Sequence, residues 1–386
     1  MDTDILIVGA GPAGLATAAT LIERGRRPEL IERAGEVAAS WRSHYERLHL
    51  HTVKSHSALP GRAFPARFPR YVPRQGVVDY LDDYAAHFGI APRFGTEAVA
   101  IRRAGTVWQT TLSTGEPIAS RCVVVGTGAN IRPVVPSFEG EGAFGGEILH
   151  SGVYRTGAAF RDWRVLVVGM GNTGAEIALD LHEHGAQTSI SARSPVNIVH
   201  RDVLGRPTQL TSMALGRLPR AWGDALAGWL RDLTVGDLRP HGLRTPATSP
   251  LADLRERGRT PVIDVGVLKR IRSGEITVYP GIERLTRGGV RFVDGREADF
   301  DVVIAATGYR CGIAALFPDL DVPADAGGLP TELVGRGPLA GVYFVGFDTR
   351  QPGGLLRTIA RQAVAVAADI DRAAPAPAPA RRQSTA

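Results

Sequence analysis

Cysteine is nearly missing from these 386 residues: Cys122 and Cys311 are the only two, far apart and in no Cys-x-x-Cys pair. Their scarcity excludes a redox-active dithiol and a thiolate metal cluster, and no metal site is expected. Lysine is as rare, with only Lys54 and Lys269, so the formal net charge of +6 rests on arginine. No basic run interleaved with aromatics occurs, and no nucleic-acid partner is expected. Long hydrophobic runs are also absent. Nothing approaches the ~18–20 uninterrupted apolar residues of a membrane helix, so no membrane partner is expected. The apolar run Ile5–Val8 leads straight into Gly9-Ala10-Gly11 rather than a cleavage site, which makes cytoplasmic residence the expectation. The length allows two or three domains with sizeable cores.

What is present is a repeat. Ile5-Leu6-Ile7-Val8-Gly9-Ala10-Gly11-Pro12-Ala13-Gly14 and Val165-Leu166-Val167-Val168-Gly169-Met170-Gly171-Asn172-Thr173-Gly174 share one pattern, and Gly25 and Gly185 then fall in the same register. Each copy reads as a buried parallel strand, a glycine turn and a helix capped by glycine. The chemistry needs glycine three times. The first permits the tight turn, the second admits a pyrophosphate to the backbone, and the third lets helix and strand pack closely. One such motif is weak; two, each in strand–turn–helix context, are strong.

The copies differ where the nucleotide is chosen. Glu32 stands where a carboxylate can accept hydrogen bonds from a ribose diol, with Arg33 beside it. The equivalent residue of the second copy is Ala192, followed by Arg193 and Ser194, a change that suits a 2′-phosphate. The first site is therefore expected to hold FAD and the second NADPH.

The fold class that follows is α/β, with two Rossmann-like dinucleotide-binding domains, the NADPH domain inserted into the FAD domain. Residues 1–158 and 311–372 are assigned to the FAD domain and 159–310 to the NADPH domain. Cys122–Gly128 and Asp301–Gly308 each close one of them, and Asn130–Pro136 reads as a crossing linker. Trp108–Ile118, with its Gly115 turn, reads as a small antiparallel flap. A Pro- and Gly-bearing insertion at about 200–265 is expected to cover the active site, and 373–386 to be a disordered Ala/Pro tail. Further FAD contacts are expected from Ser40 and Trp41, from the Val99 backbone against adenine, and from Gly128. Gly346 follows the returning strand Val342–Val345, and a helix starting near Leu355 is expected to face the flavin. For Trp41, simple core packing is the alternative.

The stretch Phe144 to Tyr154 matches Phe-x-Gly-x-x-x-His-x-x-x-Tyr through Phe144, Gly146, His150 and Tyr154. With both glycine motifs and Ala306-Thr307-Gly308-Tyr309, the chain resembles the flavin-containing monooxygenases. Baeyer–Villiger monooxygenases carry Trp where this chain has Tyr154, and Pro or Asp where it has Arg155. Within the family the chain most resembles the plant YUCCA-type indole-3-pyruvate monooxygenases. The segments concerned are Arg47–His51, Leu149–Ser151, Val165–Gly174, Arg201-Asp202, Thr260–Gly266 and Ile271–Gly274. It departs from them at Ser-Pro-Val-Asn 194–197, after Arg310 and around Arg350-Gln351-Pro352, and such active-site walls vary more than cofactor sites do.

The resemblance implies a monooxygenase that uses FAD, NADPH and O2 through a flavin hydroperoxide. It implies oxidative decarboxylation of an aromatic 2-oxo acid such as indole-3-pyruvate. N- or S-oxygenation of an amine or sulfide is the alternative, and a non-oxygenating NADPH:flavin redox protein the second. His51 aligns with the position where other members place an Asn near the reactive flavin edge, and Lys54 follows on the same loop; both are carried as catalytic candidates. Lys54 or Arg350 is the candidate cation for a substrate carboxylate. His150 is assigned to fixing the interdomain crossing. The expected partners are a small-molecule substrate and O2, and a homodimer is left open.

Overall fold

The computed structural model describes residues 2–373. Two sheets, the first mixed and the second wholly parallel, carry the two glycine motifs. In the first, Thr3–Val8 lies between Glu29–Ile31 and Pro117–Val125, and Val342–Phe344 pairs with the far half of Pro117–Val125. The near half of that long strand instead pairs antiparallel with Val107–Leu112, which pairs with Ala98–Ala104. The expected flap is thus an extension of a core strand. β-branched residues buried on both faces make these central strands nearly continuous apolar runs. Helices Pro12–Glu23, Arg74–His87 and Leu355–Ala373 cover one face and bury Leu15, Tyr80 and Ile370 against it.

The second sheet has the order Thr277–Tyr279, Gln187–Ser191, Arg164–Val168, Val302–Ala305, Glu147–His150, all parallel. Helix Asn172–Glu183 packs on one face and the antiparallel strands Ile282–Leu285, Gly289–Phe292 and Glu297–Asp299 on the other. The first boundary expected from sequence needs correction. Glu147–His150, assigned to the FAD domain, is the edge strand of the second sheet, so the chain crosses well before residue 158. The crossings themselves pair: Arg132–Pro133 runs antiparallel to Tyr309–Arg310. His150 ties the junction, with Nε2 3.2 Å from the Gly308 carbonyl and Nδ1 accepting from Gly152 N–H. A carbonyl can only accept and an N–H only donate, so this ring is held as the neutral tautomer. Burial lowers its pKa in the same sense.

The insertion is more helical than its composition suggests: Thr208–Leu215, Arg220–Val235 and Pro250–Arg257 are helices. Its ends form a small parallel pair, Ile198–His200 with Val262–Asp264. Helix Arg220–Val235 presents two stripes, Ala227 and Leu230 facing inward and Trp222, Leu226, Trp229 and Leu233 exposed. The Ala/Pro tail lies outside the described residues, apart from Ala373 at the end of the last helix.

Candidate functional site

The two glycine loops repeat one geometry. Gly9 and Gly169 have φ of +104° and +115°, and a Cβ there would lie 2.8 Å from Gly126 O and 2.6 Å from Ala306 O. A Cβ on Gly14 or Gly174 would lie 1.8 or 2.0 Å from the carbonyl oxygen of Gly9 or Gly169. Around Gly11 and Gly171 nothing lies within 4 Å, which is the room a pyrophosphate needs beside the backbone. Neither helix N-terminus is capped by a side chain, so its N–H groups are left for an anion. Pro12 and Ala13, and Asn172 and Thr173, form those first turns.

At the first loop, Glu32 Oε2 accepts from Ala10 N–H at 2.7 Å and Oε1 from Ala34 N–H at 2.9 Å. This fixes the carboxyl group beside the glycine turn, with lone pairs left for a ribose diol. Thr127 Oγ1, between Gly126 and Gly128, is buried without a partner, a donor left over for a bound group. Val99 is the bulged residue of its strand, since Ala98 pairs with Leu112 and Ala100 with Thr111. Its backbone polar groups stand outside the ladder, as an adenine contact requires. Arg33 is exposed and 3.9 Å from Glu97. The turn of Ser40 and Trp41 is anchored by Ala38 N–H on Ala10 O at 3.1 Å; Ser40 is exposed and Trp41 packs half-buried on the first core. Gly346, at φ +90°, sits against Ala13 at the start of the first glycine helix. These residues fit FAD.

At the second loop Ala192 is buried, and Arg193 and Ser194 are exposed beyond it. Arg244, which nothing in the sequence pattern singled out, donates to the Arg193 carbonyl at 2.6 Å and brings a second guanidinium to this edge. Asn172 ties the loop to the insertion, donating to Pro261 O at 3.0 Å and accepting from Ile263 N–H at 2.7 Å.

Where the loop of His51 and Thr52, the returning segment from Asp348 to Leu355, the start of the second glycine helix and the insertion meet lies a cavity of about 430 Å³. His51, Asn172, His200, Arg201, Leu230 and Leu355 are on its wall. Gln209, also missed from sequence, closes it: Oε1 accepts from Val53 N–H at 2.7 Å and Nε2 donates to Gly353 O at 2.6 Å. His51 Nε2 lies 2.6 Å from Glu176 Oε1, although the approach angle leaves Glu176 Oε1 without a formed hydrogen bond, and His51 Nδ1 is buried without a partner. Glu176 also faces Tyr45, whose hydroxyl is pushed far up by burial and by that carboxyl group. Arg201 stacks over Tyr71 at 4.3 Å, and its buried Nε makes no hydrogen bond but lies 3.6 Å from Asp202 Oδ2.

His200 contrasts with His150. Its Nδ1 lies 3.0 Å from Asp264 and its Nε2 3.2 Å from the Thr234 carbonyl. Both partners are acceptors, so the imidazolium suits the site, and the hydrogen bond to Asp264 raises the His200 pKa. Burial pushes Asp264 up, but His200 and the N–H groups of Leu268 and Gly266 outweigh it and hold the carboxyl below its usual range.

Lys54 is a correction. Its ammonium donates to the carbonyls of Ala66 at 3.0 Å and of Phe68, ties down the loop after residue 60, and does not line the cavity. A lysine is satisfied by three carbonyls, and the nearby loop supplies them. Arg350 is likewise turned elsewhere, 3.3 Å from Asp325 and on a different concavity. The fingerprint residue Tyr154 donates to Asp180 on the second glycine helix at 2.5 Å, and Asp180 also accepts from Gly157 N–H at 2.8 Å. That residue thus holds the NADPH-side helix against the crossing strand.

No helix among the described residues is long and apolar enough to cross a membrane. The family model described as FMO-like, flavin-binding monooxygenase-like, matches residues 2–323. Indole-3-pyruvate monooxygenase YUCCA1 of Oryza sativa subsp. japonica is 41% identical over 374 residues, 95% of this chain and 90% of that protein. Indole-3-pyruvate monooxygenase YUCCA6 of Arabidopsis thaliana is 40% identical over 360 residues, 90% of this chain and 86% of that protein. A flavin-containing monooxygenase from Stenotrophomonas maltophilia has the same fold, with a TM-score of 0.72 at 21% identity over 97% of this chain and 99% of that one. The chain belongs to the flavin-binding monooxygenase-like family and is an NADPH-dependent flavin monooxygenase, with FAD and NADPH as cofactors and a small molecule and O2 as its substrates.

Proposed function

We propose that the substrate is an aromatic 2-oxo acid of the indole-3-pyruvate type, oxidatively decarboxylated in the cavity beside His51. Bound FAD would supply the hydride-accepting and O2-activating chemistry, with NADPH as the reductant and the keto carbon as the site of attack. One oxygen atom enters the shortened acid, the other leaves as water, and the carboxyl carbon leaves as CO2. The observation that carries the reading is the cavity wall, where Leu215, Leu230 and Leu251 can take an aromatic ring and the Arg201 guanidinium, whose buried Nε makes no hydrogen bond and lies 3.6 Å from Asp202, can turn toward a carboxylate. The relatives named for indole-3-pyruvate support it.

The same reading gives each residue a task. Glu32, Val99 and Thr127 hold the adenosine and pyrophosphate of FAD, with Gly11, Gly128, Ser40 and Trp41 along it and Gly346 and Leu355 toward the ring. Gly171, Thr173, Arg193, Ser194 and Arg244 hold NADPH. His51 offers Nδ1 to the reacting edge, positioned by Glu176, while Gln209 excludes water by joining lid to loop. Cytoplasmic residence belongs to this reading, as does pairing of two copies across Trp222, Leu226, Trp229 and Leu233, which sedimentation velocity tests. Substrate-dependent NADPH oxidation with product identification tests the substrate class: indole-3-pyruvate and phenylpyruvate should be consumed. Turnover of amines or thioethers with 2-oxo acids inert would replace the reading by N- or S-oxygenation.

A further inference from the structure

Beside the active cavity lies a second, open concavity of about 630 Å³, lined by Arg217, Arg255, Arg350, Arg357 and Arg361. They come from four separate segments. Arg217 follows helix Thr208–Leu215, Arg255 lies on helix Pro250–Arg257, Arg350 on the returning loop, and Arg357 and Arg361 one turn apart on the last helix. The only carboxyl group on the wall is Asp348. Outside it, Asp224 takes Arg255 at 3.0 Å and Asp325 takes Arg350 at 3.3 Å. Among the described residues the guanidinium groups of Arg217, Arg357 and Arg361 have no carboxylate or hydrogen-bond partner, while the Arg217 N–H donates to Ala214 O. Like charges gathered into a hollow repel one another unless an anion joins them, and arginine forks match a carboxylate with two parallel bonds. Asp348 and Gln351 are on the walls of both hollows, so the second opens next to the first.

We infer that this arginine-lined concavity is a capture site for organic carboxylates, which takes the anionic substrate before it enters the active cavity and the anionic product after it leaves. The inference rests on the proposed 2-oxo acid chemistry, in which substrate and product both carry a carboxylate. The site acts on encounter and not on the reaction. Charged walls raise the local concentration of a counter-ion and its association rate, by an amount that salt screens.

The test compares the FAD-loaded enzyme with its Arg357→Gln/Arg361→Gln double variant, using phenylpyruvate across a range of ionic strength. The wild type should lose kcat/KM as salt rises. The double variant should start about tenfold lower at low salt and stay nearly flat, with kcat and the rate of flavin reduction by NADPH unchanged. Arg217→Gln, on a different segment, should act in the same direction if the double variant folds poorly. Parallel salt dependence in wild type and both variants would overturn the inference, as would an equal loss on an uncharged thioether. Should no 2-oxo acid be turned over, calorimetric titration with phenylpyruvate and indole-3-acetate separates the claims. Binding lost in the variants upholds the site while the reaction reading fails, and binding absent or unchanged overturns the site. Inorganic phosphate binding in preference to both carboxylates would overturn the ligand class.

Discussion

His51 Nε2 and Glu176 Oε1 lie 2.6 Å apart although His51 is on a loop of the FAD side and Glu176 on the second glycine helix. The contact joins the loop that carries the cavity-wall residue His51 to the second glycine helix. Glu176 is buried, and removing its partner leaves a carboxyl group in the interior. His51→Ala should therefore destabilise the holoenzyme by roughly 1–3 kcal/mol in urea unfolding and slow flavin reduction by NADPH. Unchanged reduction with the stability loss would leave His51 as a structural link only.

Arg193 should give the clearest cofactor phenotype. A charge-assisted hydrogen bond contributes about 1.5–3 kcal/mol, so Arg193→Ala should weaken NADPH roughly ten- to a hundredfold and spare NADH. Arg244→Ala should move the same ratio by less, because one of its N–H groups is already held by the Arg193 carbonyl. Dissociation constants from the concentration dependence of flavin reduction decide it; equal losses for both nucleotides would remove these arginines from the 2′-phosphate.

The glycines separate fold from function. Gly171→Val faces open space and should fold, keep FAD and lose NADPH, whereas Gly174→Ala would meet a carbonyl oxygen at 2.0 Å and should cost stability. Flavin content, melting temperature and NADPH reduction rate together check this.

This much was legible in sequence because close backbone approach leaves glycine no substitute: Gly9, Gly14, Gly169 and Gly174 declare their environment by type. Glu32 and Arg193 were read differently, as chemistry at a fixed distance from a motif, and both stand just past the end of the strand that follows their glycine loop. Glu176, Gln209 and Arg244 were not, since their partners lie far off in the chain and only packing brings them together. Lys54 misled because rarity is not a location. Its ammonium found three carbonyls within fifteen residues, none of them at the cavity. The domain boundary slipped because Glu147–His150 is a four-residue strand with only two apolar side chains, too short to declare which sheet it joins.

Lys54→Met should accordingly reduce stability, on the order of 1–2 kcal/mol by equilibrium unfolding, without a selective rise in the substrate KM. A raised KM at full stability would return Lys54 to the active site.

His200 makes part of the lid pH-dependent. Its folded pKa is raised above the ordinary 6.5 by Asp264, so its contribution is complete below that value and is lost as pH rises through the folded one. Unfolding free energy should fall from neutral toward alkaline pH in the wild type, and His200→Gln should flatten that limb. An identical slope in the variant would assign the dependence to other groups.

Oxidative decarboxylation is decided by the stoichiometry of a single experiment: NADPH oxidised, O2 consumed, CO2 released and shortened acid formed with indole-3-pyruvate or phenylpyruvate. One of each should be found per turnover, with one oxygen atom from O2 in the new carboxylate. NADPH consumed with hydrogen peroxide formed, and neither CO2 nor the shortened acid, would contradict it.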